Sequence, residues 1–369
     1  MDEFIQKRAR PEIFTLKPYV PGKPIDEVKR EVGLDDIIKL ASNENPLGPS
    51  PLAIEAVKKQ LDQLHIYPDA NCFYLKNKLA DQLDVDVEQI LIGNGSDELL
   101  KLFAETFLNP GDEIIYARPT FSEYEFVAKV MGAQCVEVPL KDFKHDLDAM
   151  LDAVTPQTKM IFICNPNNPT GTIVDASELD SFVQKVPDDI LLMFDEAYYE
   201  YVQNNDYISG LSYVQAGKKA VVFRTFSKIY GLAGLRVGYA ITDPSIAAAV
   251  EKVTEPFNVN ALGQTAALAA CDDQEHLHRS LALNEAGKQY LYKEFEALGL
   301  QYVPTDTNFI FFDTGVDCKK LFQHLLQMGV IVRTGDIFGY PTYLRVTIGS
   351  QEENERFIDS LKKALEQIR

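Results

Sequence analysis

The sequence predicts an α/β protein whose larger part is a mostly parallel central sheet flanked by helices. Between about residues 85 and 245, strands that are apolar throughout, such as Met160–Cys164 and Ile190–Phe194, alternate with segments of helical period. Strands buried on both faces and linked by helices are typical of parallel sheets. After Pro244 the chain changes to long helices and fewer strands, which predicts a smaller α+β unit.

The elements of the larger unit follow in chain order. Gln89–Gly93 is the first clear strand, and the helix after it ends at Asn109-Pro110-Gly111. Ligands of such sheets bind beyond the carboxyl ends of the strands, so the residues after each strand are the functional candidates. Further strands are predicted at Glu113–Tyr116, Cys135–Val138, Met160–Cys164, Ile190–Phe194, Val221–Phe223 and Val237–Ile241.

The smaller unit begins after a helix that Asp243 caps and Pro244 starts. We expect residues 1–40 to form an N-terminal arm that packs with the small domain, 41–255 the large domain and 256–369 the small domain. The small domain is predicted to contain helices Gln274–Leu298, Cys318–Met328 and Glu352–Ile368 and strands Phe309–Phe312, Val330–Val332 and Leu344–Ile348.

Composition and charge exclude several classes of protein. The 369 residues are 46% hydrophobic and 25% charged, as in ordinary globular proteins. The net charge of −19 argues against nucleic-acid and membrane-surface partners, which are themselves anionic. No apolar run reaches the length of a membrane span, and the start lacks the apolar core of a signal peptide. The five scattered cysteines indicate free thiols in a reducing cytoplasm, and the histidines suggest no metal site.

Glycines and polar residues follow the first strand, at Gly93-Asn94-Gly95-Ser96-Asp97. Such a turn before a helix can hold an anion on backbone N–H groups, or it can be a plain connection. A dinucleotide fingerprint would need glycine where Glu98 stands, so a Rossmann dehydrogenase fits poorly.

Two later strand ends carry further polar residues. Asn165-Pro166-Asn167-Asn168-Pro169-Thr170-Gly171 forms a rigid turn after one strand. Asp195 ends the next strand, and Tyr198 follows it. A carboxylate at a buried strand end is costly unless it meets a cation, which favours a ligand-facing role for Asp195.

The segment from Ser227-Lys228 to Gly234-Leu235-Arg236-Val237-Gly238 gives the strongest signal. Its pattern, Ser-Lys followed by Gly-x-Arg-x-Gly, resembles the cofactor-attachment motif of fold type I aminotransferases that depend on pyridoxal phosphate (PLP). Gly-Ser-Asp, Asn-Pro-Thr-Gly and Asp-x-x-Tyr precede it in the family's order. The resemblance covers nearly the whole chain and implies PLP as the cofactor.

The resemblance implies a role for each residue at the strand ends. Lys228 would form the Schiff base with PLP, and Asp195 would keep the pyridine nitrogen protonated. Phe121 would stack on the ring, where many members have tyrosine. Asn168 and Tyr198 would hydrogen-bond the ring's phenolic oxygen. The cofactor phosphate would be bound by Ser96, Asp97, Ser227 and Arg236.

Features near both ends resemble the histidinol-phosphate aminotransferase family in particular. The loop that begins Ser42-Asn43-Glu44-Asn45-Pro46 is similar to its N-terminal signature, which assigns Asn43 to the substrate. Tyr19 matches a substrate-contacting tyrosine. Arg345, on the strand Leu344–Ile348, matches the carboxylate-binding arginine, and Arg333 matches a second substrate arginine.

The implied reaction converts histidinol phosphate and 2-oxoglutarate to imidazole-acetol phosphate and glutamate, in histidine biosynthesis. An aromatic amino-acid aminotransferase and a phosphothreonine-type decarboxylase remain alternatives. A PLP-bound regulator would need a DNA-binding domain, for which the acidic chain has no basic segment. The resemblance also implies a homodimer in which Tyr67 reaches the cofactor phosphate of the neighbouring chain.

Overall fold

The computed structural model describes residues 3–16 and 22–368. Its strands are β1 Ile38–Lys39, β2 Ile90–Gly93, β3 Glu113–Arg118, β4 Gln134–Pro139, β5 Thr158–Cys164, β6 Leu191–Asp195, β7 Ala220–Thr225, β8 Gly238–Thr242, β9 Gln301–Val303, β10 Phe309–Asp313, β11 Val330–Ile331, β12 Arg333–Thr334 and β13 Tyr343–Thr347.

The α-helices of the described residues are α1 Glu3–Arg8, α2 Ile25–Val32, α3 Pro51–Gln60, α4 Phe73–Leu83, α5 Ser96–Phe107, α6 Glu123–Val130, α7 Leu147–Asp152, α8 Ala176–Lys185, α9 Leu211–Gln215, α10 Pro244–Val250, α11 Ala261–Ala270, α12 Gln274–Ala297, α13 Cys318–Gln327 and α14 Gln351–Ile368. None of these is long and apolar enough to span a membrane.

The larger sheet has the strand order β2-β8-β7-β6-β5-β3-β4. Only β8 runs antiparallel to its neighbours, so the predicted mostly parallel sheet is confirmed. Helices pack on both faces, and each face has its own apolar core. Because β2, β3, β5, β6 and β7 point the same way, the residues that follow them meet at one edge.

The smaller sheet is antiparallel, with the order β12-β13-β10-β9. Helices α12, α13 and α14 cover it, and Phe295, Phe312 and Phe357 form the centre of its apolar core. The predicted single strand Val330–Val332 is divided. Its first two residues pair with β1, and Arg333 begins β12 in the smaller sheet.

The N-terminal arm contacts both units. Strand β1 pairs with β11, and Val28 of α2 lies in an apolar cluster with Leu326 of α13. Farther toward the N-terminus, Arg10 donates a hydrogen bond to the carbonyl of Val130 at the end of α6 (2.6 Å). The arm therefore links the edge of the larger unit to the smaller one. The domain boundaries at residues 40 and 255 stay a prediction.

Candidate active site

One cavity of about 650 Å³ lies at the carboxyl edge of the larger sheet, between the two units. It brings together nearly all of the residues that the sequence indicated. Those that line it are Asn43, Ser96, Asp97, Phe121, Asn168, Asp195, Tyr198, Ser227, Lys228, Arg236, Arg333 and Arg345. Tyr67 lies elsewhere, and Tyr19 falls outside the described residues.

Asp195 is the last residue of β6 and is 3% exposed. One carboxylate oxygen accepts a hydrogen bond from the Tyr124 hydroxyl (2.6 Å), and the other accepts the Ala197 N–H (3.1 Å). Burial raises the pKa of Asp195 to about 6, although both hydrogen bonds lower it. A cation at this point in the cavity would restore the ionised form.

Lys228 lies three residues beyond the end of β7, in a turn that packs against the loop after β1. Its Nζ donates to the carbonyl of Ser42 (3.3 Å) and lies 5.6 Å from the centre of the Tyr198 ring. Burial lowers the pKa of Lys228 to about 8, and the charges of Arg345 and Arg236 act in the same direction. An amine with this pKa is in part neutral, and therefore nucleophilic, near neutral pH.

An anion site occupies the N-terminus of α5. Ser96 and Asp97 are the first residues of that helix, so their backbone N–H groups have no partner within it. Arg236 lies beside them: its Nη2 is 3.2 Å from an Asp97 carboxylate oxygen, and its Nη1 is 3.5 Å from Ser227 Oγ. Gly95 suits this turn, because its φ of +84° is one that other residues rarely adopt; a Cβ there would also lie 2.6 Å from Arg236 Nη2, which would have to move.

The opposite side of the cavity carries two arginines on neighbouring strands. Arg333 of β12 is the direct cross-strand partner of Arg345 of β13. Arg345 is 7% exposed and donates to the Asn168 side-chain oxygen and to the Ala41 carbonyl (2.7 Å). Like charges directly opposite each other on a sheet are unfavourable unless an anion lies between them. This pair is therefore suited to a carboxylate or a phosphate.

Asn168 and Asn43 are both engaged within the protein. The Asn168 oxygen accepts from Arg345, so its NH₂ group is the end that could reach a ligand. Asn43 is 1% exposed, and its amide bonds to Tyr198 and Thr347. The substrate contact that the sequence predicted for Asn43 stays a prediction: Asn43 lines the cavity, and its NH₂ group has a second hydrogen beside the one donated to Tyr198.

Sequence reasoning missed Tyr124, which is fully buried and bonds to Asp195. Its ring stacks on Phe162 and meets Phe121 edge-on, with centroids 4.6 and 5.8 Å apart. Tyr124 lies in the first turn of α6, and Phe121 lies just before that helix, three residues earlier. That spacing is the signal that could have found it.

Tyr67 does not line the cavity of its own chain. Its ring is 77% exposed and stacks on Phe257 at 4.6 Å.

The residues of the cavity fit PLP. Lys228 could bind its aldehyde carbon, the buried carboxylate of Asp195 could bind its ring nitrogen, and Arg236 with the first turn of α5 could bind its phosphate. The described residues contain no cluster of three or more His, Cys, Asp and Glu side chains that could hold a metal ion.

The fold and the site together define a class, the aminotransferases that use PLP. A family model, aminotransferase class I and II, matches residues 35–361. The chain belongs to this family and, within it, to the histidinol-phosphate aminotransferases.

Two curated relatives carry that family name. The histidinol-phosphate aminotransferase of Moorella thermoacetica is 56% identical over 97% of this chain and 93% of its own length. That of Caldicellulosiruptor saccharolyticus is 49% identical over 96% and 99%. The crystal structure of histidinol-phosphate aminotransferase from Sinorhizobium meliloti in complex with pyridoxal-5'-phosphate matches with a TM-score of 0.91 and 27% identity, covering 98% of each chain.

Proposed function

We propose that the protein transfers the amino group of histidinol phosphate to 2-oxoglutarate, forming imidazole-acetol phosphate and glutamate in histidine biosynthesis. The observation that carries the proposal is the pair of arginines, Arg333 and Arg345, placed directly opposite each other at the cavity. Histidinol phosphate has no α-carboxylate, whereas glutamate has two carboxylates. Two adjacent guanidinium groups can bind the phosphate of one substrate and a carboxylate of the other in turn.

PLP, when bound, would supply an aldehyde carbon that accepts the amino group and a ring that accepts electrons. Residues of the chain would bind the cofactor and the substrate and move the proton. We propose that Lys228 would carry the cofactor and that its Nζ, once released, would take the proton from the donor carbon and deliver it to the cofactor carbon that had been the aldehyde. A pKa lowered to about 8 suits a base that works near neutral pH.

The remaining residues orient the cofactor and the substrate in this proposal. Asp195 would hold a proton on the ring nitrogen, Asn168 and Tyr198 would bind the ring oxygen, and Phe121 would cover one face of the ring. Ser96, Asp97, Ser227 and Arg236 would hold the phosphate. Because the Asp97 carboxylate faces Arg236, its backbone N–H is the group that would contact the phosphate. Tyr19 remains a proposed substrate contact.

We further propose that the protein is a cytoplasmic homodimer. Helices α3 and α4 and the segment between them expose large apolar side chains, which is uncommon for a monomer and favours a subunit interface. These side chains are Leu52, Ile54, Leu61, Leu64, Ile66, Tyr67, Phe73 and Tyr74. The five cysteines are free thiols, as expected in a reducing compartment.

The test compares two amino donors in an Arg333→Ala variant. If both arginines bind the phosphate, kcat/KM for histidinol phosphate should fall by about 10- to 100-fold, the usual effect of losing a charge-assisted hydrogen bond. Phenylalanine, whose carboxylate can still use Arg345, should lose much less. Steady-state assays with each donor and 2-oxoglutarate give both ratios.

Arg118→Ala is the matched control. Arg118 also lines the cavity, but its guanidinium pairs with Glu137 at 2.5 Å, so its loss should affect neither donor strongly. Equal losses for both donors in Arg333→Ala would favour an aromatic amino-acid aminotransferase. Release of CO₂ from phosphothreonine by the unaltered enzyme would favour the decarboxylase.

A further inference from the structure

Three consecutive residues of the segment after β1 each contact a different residue of the site. The carbonyl of Ala41 accepts from Arg345, and the carbonyl of Ser42 accepts from Lys228 Nζ. The third, Asn43, donates from Nδ2 to the Tyr198 hydroxyl oxygen at 2.8 Å. Asn43 contributes a side-chain group, so it is the member of the segment that a substitution can test.

The oxygen end of the Asn43 amide contacts Thr347, which is 2% exposed. The Thr347 Oγ1 accepts the backbone N–H of Asn43 at 2.9 Å and lies 3.1 Å from the Asn43 Oδ1. A hydroxyl has one proton, and here it is donated to Oδ1. The amide oxygen faces Thr347, and the NH₂ group faces Tyr198.

The Tyr198 hydroxyl has one proton as well. Its oxygen accepts from Asn43, so its own proton must be donated elsewhere. No acceptor for that proton is found among residues 3–16 and 22–368, and Tyr198 lines the cavity. Burial raises the pKa of Tyr198, which keeps the phenol protonated and therefore a donor.

We infer that Asn43 is a positioning residue whose amide directs the Tyr198 hydroxyl proton into the cavity, toward the ring oxygen of the cofactor. The inference rests on the proposed contact between Tyr198 and that oxygen. It also connects the two ends of the site, since Thr347 lies two residues from Arg345 and so on the same face of β13. Strand β13 would thus carry both Arg345, proposed to bind the substrate anion, and Thr347, which orients Tyr198 through Asn43.

Asn43→Asp is the decisive substitution. Aspartate has the same shape and tolerates the φ of +58° found at this position, but its carboxylate can only accept a hydrogen bond. The Tyr198 proton would then turn away from the cavity and toward the introduced carboxylate. Because a donor favours the anionic form of the ring oxygen, its loss should raise the proton affinity of the bound cofactor.

The readout is the pH titration of the visible absorbance of the PLP-loaded protein. We expect the midpoint to rise by about one pH unit in Asn43→Asp, as for loss of a hydrogen bond to a charged group, and by a similar amount in Tyr198→Phe. The double variant should show no shift beyond that of Tyr198→Phe, since the two residues act through one bond. If the introduced carboxylate instead acted on the cofactor directly by its charge, the midpoint of the double variant would lie above that of Tyr198→Phe.

Asn354→Asp is the matched control, because Asn354 is fully buried and donates to the Gly349 carbonyl (2.9 Å) without lining the cavity. Its midpoint should equal that of the parent protein. If Asn43→Asp does not fold, Thr347→Val should raise the midpoint and Thr347→Ser, which keeps the hydroxyl, should not.

Three results would overturn the inference: an unchanged midpoint in Asn43→Asp, an equal further shift in the double variant, or the same midpoint in Thr347→Val as in Thr347→Ser. An unchanged midpoint in Tyr198→Phe would remove the proposed Tyr198 contact together with the inference. Transamination of histidinol phosphate by the parent protein is measured separately, and its result tests the proposed function independently of the role of Asn43.

Discussion

Lys228, the proposed attachment point of the cofactor, illustrates at the residue scale how a buried amine can lower the stability of the folded protein. Its amine is buried and lies near Arg345, and these two effects lower its pKa to about 8. In the unfolded chain the same amine titrates near its ordinary value of about 10.4. Below about pH 8 the Lys228 amine is therefore charged while buried, which lowers the stability of the folded protein.

Lys228→Met should therefore stabilise the cofactor-free protein while abolishing transamination. The expected gain is about 1–3 kcal/mol at pH 7, from the difference between the two pKa values. Between about pH 8 and 10.5 the unfolded state binds more protons than the folded state, so the stability of the parent protein rises with pH. The gain should thus shrink over that range. Urea unfolding of both proteins at about pH 7 and about pH 10 measures it.

Lys76→Met is a suitable comparison for this effect. The Lys76 side chain is 15% exposed but is paired with Glu251 at 2.8 Å, so its removal relieves no buried charge. A loss of stability in Lys228→Met at neutral pH, or a gain of equal size in Lys76→Met, would contradict the explanation.

At the scale of elements, the ends of β6 and β7 are joined by a buried ion pair. Glu196, one residue after Asp195, is 1% exposed and accepts two hydrogen bonds from Arg224 of β7 (3.0 and 2.9 Å) and one from the Gly210 N–H (2.6 Å). Glu196, unlike Asp195, is not among the described residues that line the cavity. The Glu196 carboxylate thus pairs with Arg224 within the protein, whereas the Asp195 carboxylate lines the cavity.

Glu196→Gln and Asp195→Asn should separate stability from activity. Glu196→Gln removes the carboxylate that accepts two hydrogen bonds from the buried Arg224, which should cost about 3 kcal/mol or more of unfolding free energy. Asp195→Asn should cost under about 1 kcal/mol, yet lower turnover by orders of magnitude, because an electrostatic partner of the cofactor is lost. Denaturant unfolding and turnover of the folded fraction check both. Similar behaviour of the two variants would contradict the assignment of Asp195.

The strands of the larger sheet could be predicted because central strands are buried on both faces and read as apolar runs. The edge strand β9, with exposed Gln301, has no such run and was not predicted. The division at Val332 also escaped prediction, since the pairing of Arg333 with Arg345 depends on a strand elsewhere in the chain. The local sequence pattern therefore predicts most strands and helices. The ends of the short strands depend on pairing with strands that are distant in the sequence.

For the whole molecule, the sequence indicated most of the residues that the structure brings to one cavity, because most of them follow a strand and belong to a recognisable motif. Their roles toward the cofactor stay a prediction. It could not place the contacts between them. Asn43 and Tyr198 are 155 positions apart, and Asn43 and Thr347 are 304 apart, so no local spacing indicates that they meet. The site is built from segments that are distant in the sequence. The direction of its hydrogen bonds is therefore set only in the folded protein.

Tyr67 extends this assembly to a second chain in the proposed dimer. It lies in an apolar surface, is 77% exposed and stacks on Phe257, away from its own cavity. In a two-fold dimer the same patch is used by both chains, so each Tyr67 could reach the cavity of the other.

Two impaired variants, Tyr67→Ala and Lys228→Ala, test this arrangement. A mixed dimer would contain one site with the intact Lys228 of the first chain and the intact Tyr67 of the second, and another site with both defects. Co-refolding the two variants should therefore give more activity than the sum of the two prepared alone. Tyr74→Ala, which removes another exposed tyrosine (72%) of the same surface, serves in place of Tyr67→Ala as the control and should show no such recovery. If mixed dimers form without recovery of activity, Tyr67 does not serve the neighbouring site.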